Sequence, residues 1–158
     1  MSRSTSVAAL TALALCAACT SDPTGNAPST RVYNGDCATT VQVTSQEPFA
    51  IAIAANCALQ TLGTSTVTFN ETISATGALT STDMVYVVPG GDKLYATFTG
   101  QTTTPPGASV AFQGTETFTG GTGRFAAVHG STTLTGTATL DAVGGGAGHY
   151  ATVGTITY

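Results

Sequence analysis

Charge is scarce in this chain. Only 8% of its 158 residues are Asp, Glu, Lys or Arg, four of them Lys or Arg, and the net charge is −4. A nucleic-acid partner needs a cationic stripe to offset phosphate, and four scattered cations cannot form one. Trp is absent, and Tyr and Phe fall singly along the chain, which leaves no stacking platform for bases. Lys, Arg, Glu and Leu, the strong helix formers, are few. No apolar run reaches the ~20 residues a transmembrane helix takes. His129 and His149 stand apart, without the paired Cys or His spacing of a metal site, so neither metal nor cofactor is expected. No Ser sits in a Gly-x-Ser-x-Gly elbow. The run Gly120-Gly121-Thr122-Gly123 lacks the Lys-Ser/Thr of a phosphate loop and opens no helix.

Thr and Gly are abundant instead, with 33 and 19 residues. Thr favours strands, and Gly punctuates the turns between them. From residue 41 onward, short runs alternate apolar with polar residues. The expected strands are 41–45, 49–55, 67–73, 84–88, 94–98, 110–118, 125–128, 134–140 and 150–158. Turn signals separate them at Pro89-Gly90-Gly91-Asp92, Thr104-Pro105-Pro106-Gly107, Gly120-Gly121-Thr122-Gly123 and Gly144-Gly145-Gly146. About eight strands at regular spacing predict an all-β antiparallel fold, a sandwich or a closed barrel. Closure is the favoured form because it removes exposed edges. Small inward residues such as Gly114, Gly136 and Ala138 would relieve crowding inside a barrel.

The N-terminus carries an address. Residues 7–18 form an apolar run behind Arg3, too short to span a bilayer and laid out like a secretory signal. The run ends in Ala17-Ala18-Cys19, which resembles a bacterial lipoprotein cleavage box. Cys19 would then be the lipidated first residue of the mature chain, with plain secretion as the alternative. The expected organisation is a signal peptide at 1–18, a Ser/Thr/Pro/Gly tether at 19–31 and one domain at 32–158. A lipid anchor would be the protein's link to a membrane. Only Cys37 and Cys57 remain in that domain. Export exposes them to oxidising conditions, where a structural disulfide is the expected state.

The segment from Thr117 to Ala126 (Thr-Phe-Thr-Gly-Gly-Thr-Gly-Arg-Phe-Ala), with Gly130 after it, resembles the G-G-T-G-[RK]-F stretch of the allene oxide cyclase and dirigent barrel superfamily. Gly91-Asp92-Lys93-Leu94-Tyr95 and Gly100 are similar to that family's preceding strand. Leu62-Gly63 echoes a further element, although Thr61 and Thr64 replace its His and Arg. The resemblance covers roughly residues 57–158. It implies an eight-stranded calycin-type barrel with an apolar cavity, often oligomeric. Plant members cyclise a fatty-acid epoxide or steer the coupling of phenols, but none of their catalytic residues aligns with this chain.

Two carboxylates merit weighing as chemistry. Glu71 and Glu116 fall on the apolar parity of their strands, which in a barrel faces the lumen. Burying a carboxylate is costly without partners, so both are candidate catalytic residues, able as a pair to share a proton. The competing reading is that a bulge turns each to solvent. Phe69, Phe98, Phe112 and Phe118 are the candidate ligand-binding residues of the lumen. Arg124 either binds an anion beside the glycine turn or pairs with Asp92 or Glu116. The functional expectation is a small-ligand binding or structural barrel of the cell envelope, a homo-oligomer being compatible with it. The alternative is a cyclase- or dirigent-like enzyme acting on a lipid or phenol. A lumen of a few hundred Å³ would favour ligand uptake, and a filled one a structural role.

Overall fold

The computed structural model describes residues 28–104 and 109–158. The signal segment 1–18, Cys19 and the tether up to residue 27 lie outside the described residues. Eight strands follow one another: β1 (Thr30–Gln46), β2 (Phe49–Leu59), β3 (Gly63–Ile73), β4 (Ala78–Val87), β5 (Lys93–Thr102), β6 (Ser109–Gly121), β7 (His129–Leu140) and β8 (Gly145–Thr157). Each pairs antiparallel with the next, and β8 returns to β1 from Thr30↔Thr157 to Gln42↔Gly145. The sheet closes into a barrel, so its eight strands have no free edge.

Alternation fixes which side chains face inward. On β3, Ser65, Val67, Phe69 and Glu71 are buried while Thr64, Thr66, Thr68, Asn70 and Thr72 are exposed. On β6, Glu116 and Phe118 are buried between exposed Thr115, Thr117 and Thr119. Thr therefore coats the outside of the cylinder and supplies β propensity there without charge.

Two elements differ from the expected strands. The first strand begins at Thr30, not at 41, and its early half carries Tyr33, which is 1% exposed. Asn34-Gly35-Asp36 has turn composition, yet it lies in mid-strand, where Gly35 pairs with Leu59 and Asp36 with Ala58. Pairing on both edges overrides the local preference. The second difference is 125–128. Gly123–Phe125 form a single 3-10 turn, and β7 starts only at His129. Phe125 and Val128 are buried from this connection, and the Phe125 ring stands edge-on to Tyr158 at 4.7 Å. They plug one end of the barrel instead of extending its wall.

The glycine segment seats that plug on the neighbouring hairpin. The Thr122 hydroxyl accepts from the Lys93 N–H at 2.9 Å, and the Thr122 N–H donates to the Lys93 carbonyl at 2.9 Å. Gly123 has φ +54°, and a Cβ there would collide with the Asp92 carboxylate. Glycine is required on both counts. The two glycine-rich motifs are thus two halves of one structural joint.

Cys37 and Cys57 stand directly opposite each other on β1 and β2 and are joined by a disulfide. Such a bond fits an oxidising, extracytoplasmic compartment. Among the described residues no helix is long and apolar enough to cross a membrane.

Candidate functional site

The interior is divided along the barrel axis. The end holding the β2–β3, β4–β5, β6–β7 connections and both termini of the cylinder is filled. Tyr33, Tyr86, Phe118, Leu94, Phe125 and Ile156 are each at most 3% exposed. Tyr33 packs edge-on against Phe118 at 4.9 Å and against Tyr86 at 6.2 Å.

Glu116 lies within this filled half and is wholly buried. Tyr86 Oη donates to its Oε1. Thr132 Oγ1 donates to its Oε2 at 2.7 Å. Thr152 Oγ1 in turn donates to Thr132 Oγ1 at 2.7 Å. Burial pushes the Glu116 pKa up, and the hydrogen bonds from Tyr86, Thr132 and Thr152 pull it back without cancelling the rise. Burial, followed by the nearby Glu116 charge, also raises Tyr33, Tyr86 and Tyr150. Tyr33 Oη is buried with no hydrogen-bond partner among the described residues. This layer is a polar knot inside the core, packed against the Tyr33, Tyr86 and Phe118 rings.

The opposite half is hollow. An apolar cup of about 60 Å³ is lined from all eight strands, and its lining includes Ile51, Phe69, Glu71, Phe98, Phe112 and Leu134. Tyr150 lies at its floor, its Oη 3.6 Å from Cys57 Sγ. The cup adjoins a mouth of about 730 Å³, with which it shares Ile73, Val110 and Leu140. Small residues make the hollow. A Cβ at Gly114 would stand 2.6 Å from the Phe98 ring, and one at Gly136 would stand 2.7 Å from the Phe112 ring. Glycine thus lets both rings lie against the wall.

Glu71 is the cup's carboxyl. It is 7% exposed, and its side chain has no hydrogen-bond partner among the described residues. Its inward aim comes from an unbroken register with β2, where Glu71 pairs with Ile51 and Phe69 with Ile53. The pairing of β3 with β4 does break, between Thr68 and Thr72, but the β2 side holds the parity. Burial raises the Glu71 pKa from 4.5 to about 7. The carboxyl is therefore poised to hold or release a proton near neutral pH.

The two glutamates face the lumen, as their parity predicts, but they occupy different layers and do not hydrogen-bond each other. Glu116 is committed to Tyr86 and Thr132, whereas Glu71 looks into the cup. Of the candidate binding residues, Phe69, Phe98 and Phe112 line the cup, while Phe118 belongs to the filled half. Arg124 lies outside the lumen at the plugged end. Its Nε is 3.8 Å from Asp92 Oδ2, with the side chain half exposed, and its guanidinium covers the Phe125 ring at 4.7 Å. His129 Nδ1 lies 3.1 Å from its neighbour's carbonyl, Ala127 O, and His149 sits on the outside 3.7 Å from Asp36.

The tyrosine layer was not foreseeable from parity alone. Tyr33 lies in an unpredicted part of β1, and Tyr86 and Tyr150 meet Glu116 only once the barrel closes. No protein-family model matches the chain, and no curated protein or solved structure shows significant similarity to it.

Proposed function

We propose that this chain is an exported, lipid-anchored barrel of the bacterial cell envelope that takes the end of a small apolar ligand into its open half. The observation that carries the reading is the division of the lumen. One half is packed to full burial, while the other retains an apolar cup with an unpartnered carboxyl in its wall. A purely structural barrel has no use for that carboxyl, because an unpartnered buried acid costs stability. The enclosed volume is below the roughly 300–1,000 Å³ of a drug-sized site. The ligand therefore inserts a chain end or a small ring, with its remainder in the mouth. The leader layout, the Ala17-Ala18-Cys19 box and the disulfide support export and anchoring.

Two experiments test this. Titration with the neutral fluorophore N-phenyl-1-naphthylamine should give saturable 1:1 enhancement, and Ala138→Trp, which fills the cup from β7, should abolish it without changing the far-ultraviolet spectrum. Enhancement that is non-saturable, or unaffected by Ala138→Trp, would remove the binding reading. For the anchor, Cys19→Ala expressed in a bacterial host should move the protein from the membrane fraction to the soluble extracytoplasmic fraction.

A second reading, a cyclase- or dirigent-like enzyme, draws on one observation: a Glu71 carboxyl that titrates near pH 7 can serve as acid or base. On that reading Glu71→Gln abolishes turnover of a lipid or phenolic substrate while sparing its uptake.

A further inference from the structure

The cup says what kind of polar group its ligand carries. We propose that the ligand is an apolar amine, a hydrocarbon or aromatic body with one protonated nitrogen, and that Glu71 is the carboxylate that receives it. The proposal rests on the binding reading above and deepens it.

Two independent features of the structure point to a cation. The first is the wall of the cup. Among its lining residues, Glu71 is the one charged group. The other polar groups are the hydroxyls of Thr39 and Tyr150, and the Tyr150 hydroxyl lies against Cys57. The Glu71 carboxyl is more than nine-tenths buried, borders the cavity and has no partner among the described residues. A ligand ammonium would satisfy it with a charge-assisted hydrogen bond, shorter and stronger than a neutral one. The rings of Phe69, Phe98 and Phe112 border the same space, and aromatic rings attract cations.

The second feature is the distribution of charge along the barrel axis. Every described Lys and Arg lies at the plugged end: Arg31 at the start of β1, Lys93 at the start of β5 and Arg124 in the 3-10 turn, the last paired with Asp92. At the open end the described charges are negative. Glu47 lines the mouth, Asp141 caps the β7–β8 turn, and Glu71 lies within. A cation approaches down this gradient, and an anion is repelled along it. Fatty-acid carboxylates and phosphates would meet Glu71 with no counter-cation in the cup, an arrangement that is strongly disfavoured. An aliphatic alcohol can enter and donate to the carboxylate, but it brings no positive charge to neutralise it.

The test compares three probes of one shape at pH 8: n-octylamine, 1-octanol and octanoate, each competing with N-phenyl-1-naphthylamine for the full-length mature protein. Octylamine should compete at a concentration at least about tenfold lower than octanol, because it alone pairs the carboxylate with an opposite charge. Octanoate should be the weakest. Glu71→Gln should remove the preference, bringing octylamine to the level of octanol or below it. Equal competition by amine and alcohol, or an amine preference that survives in Glu71→Gln, overturns the assignment while leaving the cup a binding site. Failure of all three probes and of the fluorophore removes the binding reading itself. The wild-type ranking needs no variant, so poor folding of Glu71→Gln would still leave a decisive comparison.

Discussion

Replacing Glu71 by Gln should change the pH dependence of folding stability more than any other single substitution in the cup. The acid has a pKa of about 7 in the folded barrel against 4.5 for the free side chain. Below pH 4.5 the carboxyl is protonated in both states and contributes nothing to the pH slope. Between 4.5 and 7 the folded chain holds a proton that the unfolded chain has released. Stability therefore falls as pH rises, by up to ~1.4 kcal/mol per unit, and levels off above pH 7. Integrated over that window, the loss is about 3 kcal/mol, a large share of the 5–15 kcal/mol that holds a typical domain together. Gln fills nearly the same volume and does not titrate. Urea unfolding of wild type and Glu71→Gln at pH 4.5 and pH 8.5 isolates the effect. The stability difference between the two proteins should shift by about 3 kcal/mol in favour of the variant on going to the higher pH. Glu116 also has a raised pKa, but it is present in both proteins and cancels. A shift below ~1 kcal/mol would mean that Glu71 is solvated or paired, and would refute the unpartnered-carboxyl argument on which the cup's chemistry stands.

Other perturbations read other parts of the barrel. The double variant Cys37→Ala/Cys57→Ala should lose about 3 kcal/mol, because it reopens a 20-residue separation in the unfolded chain, and its melting temperature should fall by on the order of 10 °C by calorimetry. Tyr86→Phe deprives Glu116 Oε1 of its donor and should cost about 1–3 kcal/mol in denaturant titration, whereas a cost near zero would mean that the polar knot is not a connected network. Gly123→Ala should destabilise by about 1 kcal/mol or more, since it combines a left-handed backbone with a collision against Asp92; an unchanged melting temperature would deny the joint its structural role.

The barrel was legible because the information lies in parity. Thr133, Thr135, Thr137 and Thr139 alternating with Leu134, Gly136, Ala138 and Leu140 admit one reading, a strand with a wet face and a dry one. The strand between 30 and 40 was not legible, because Asn34, Gly35 and Asp36 have turn propensities and are held extended only by β2 on one side and β8 on the other. The plug was missed for the converse reason. Phe125-Ala126-Ala127-Val128 is apolar enough for a strand, yet it follows a backbone joint fixed by Thr122 and Gly123 that sends it across the barrel end. Local composition could not reveal either outcome, since one depends on pairing with β2 and β8 and the other on the seat of Thr122 and Gly123 against Lys93 and Asp92.

The two inward glutamates show how far parity reaches and where it stops. Glu71 and Glu116 have the same signature, a carboxylate between exposed polar neighbours on the apolar side of a strand, and both point inward. Their surroundings set them apart. Phe98 pairs with Glu116 across β5 and β6, and β4, β7 and β8 bring Tyr86, Thr132 and Thr152 to its two oxygens. Glu116 is thereby satisfied by the fold and has no capacity left for a ligand. Glu71 sits nearer the open end, where it pairs with Ile51, shares the cup's wall with Leu79 and Phe112, and receives no hydrogen bond from a described residue. An acid with donors becomes part of the core, and an acid without them keeps its hydrogen-bonding capacity for what enters from the mouth. That contrast, between two residues of one type in one barrel, assigns recognition to Glu71 and structure to Glu116.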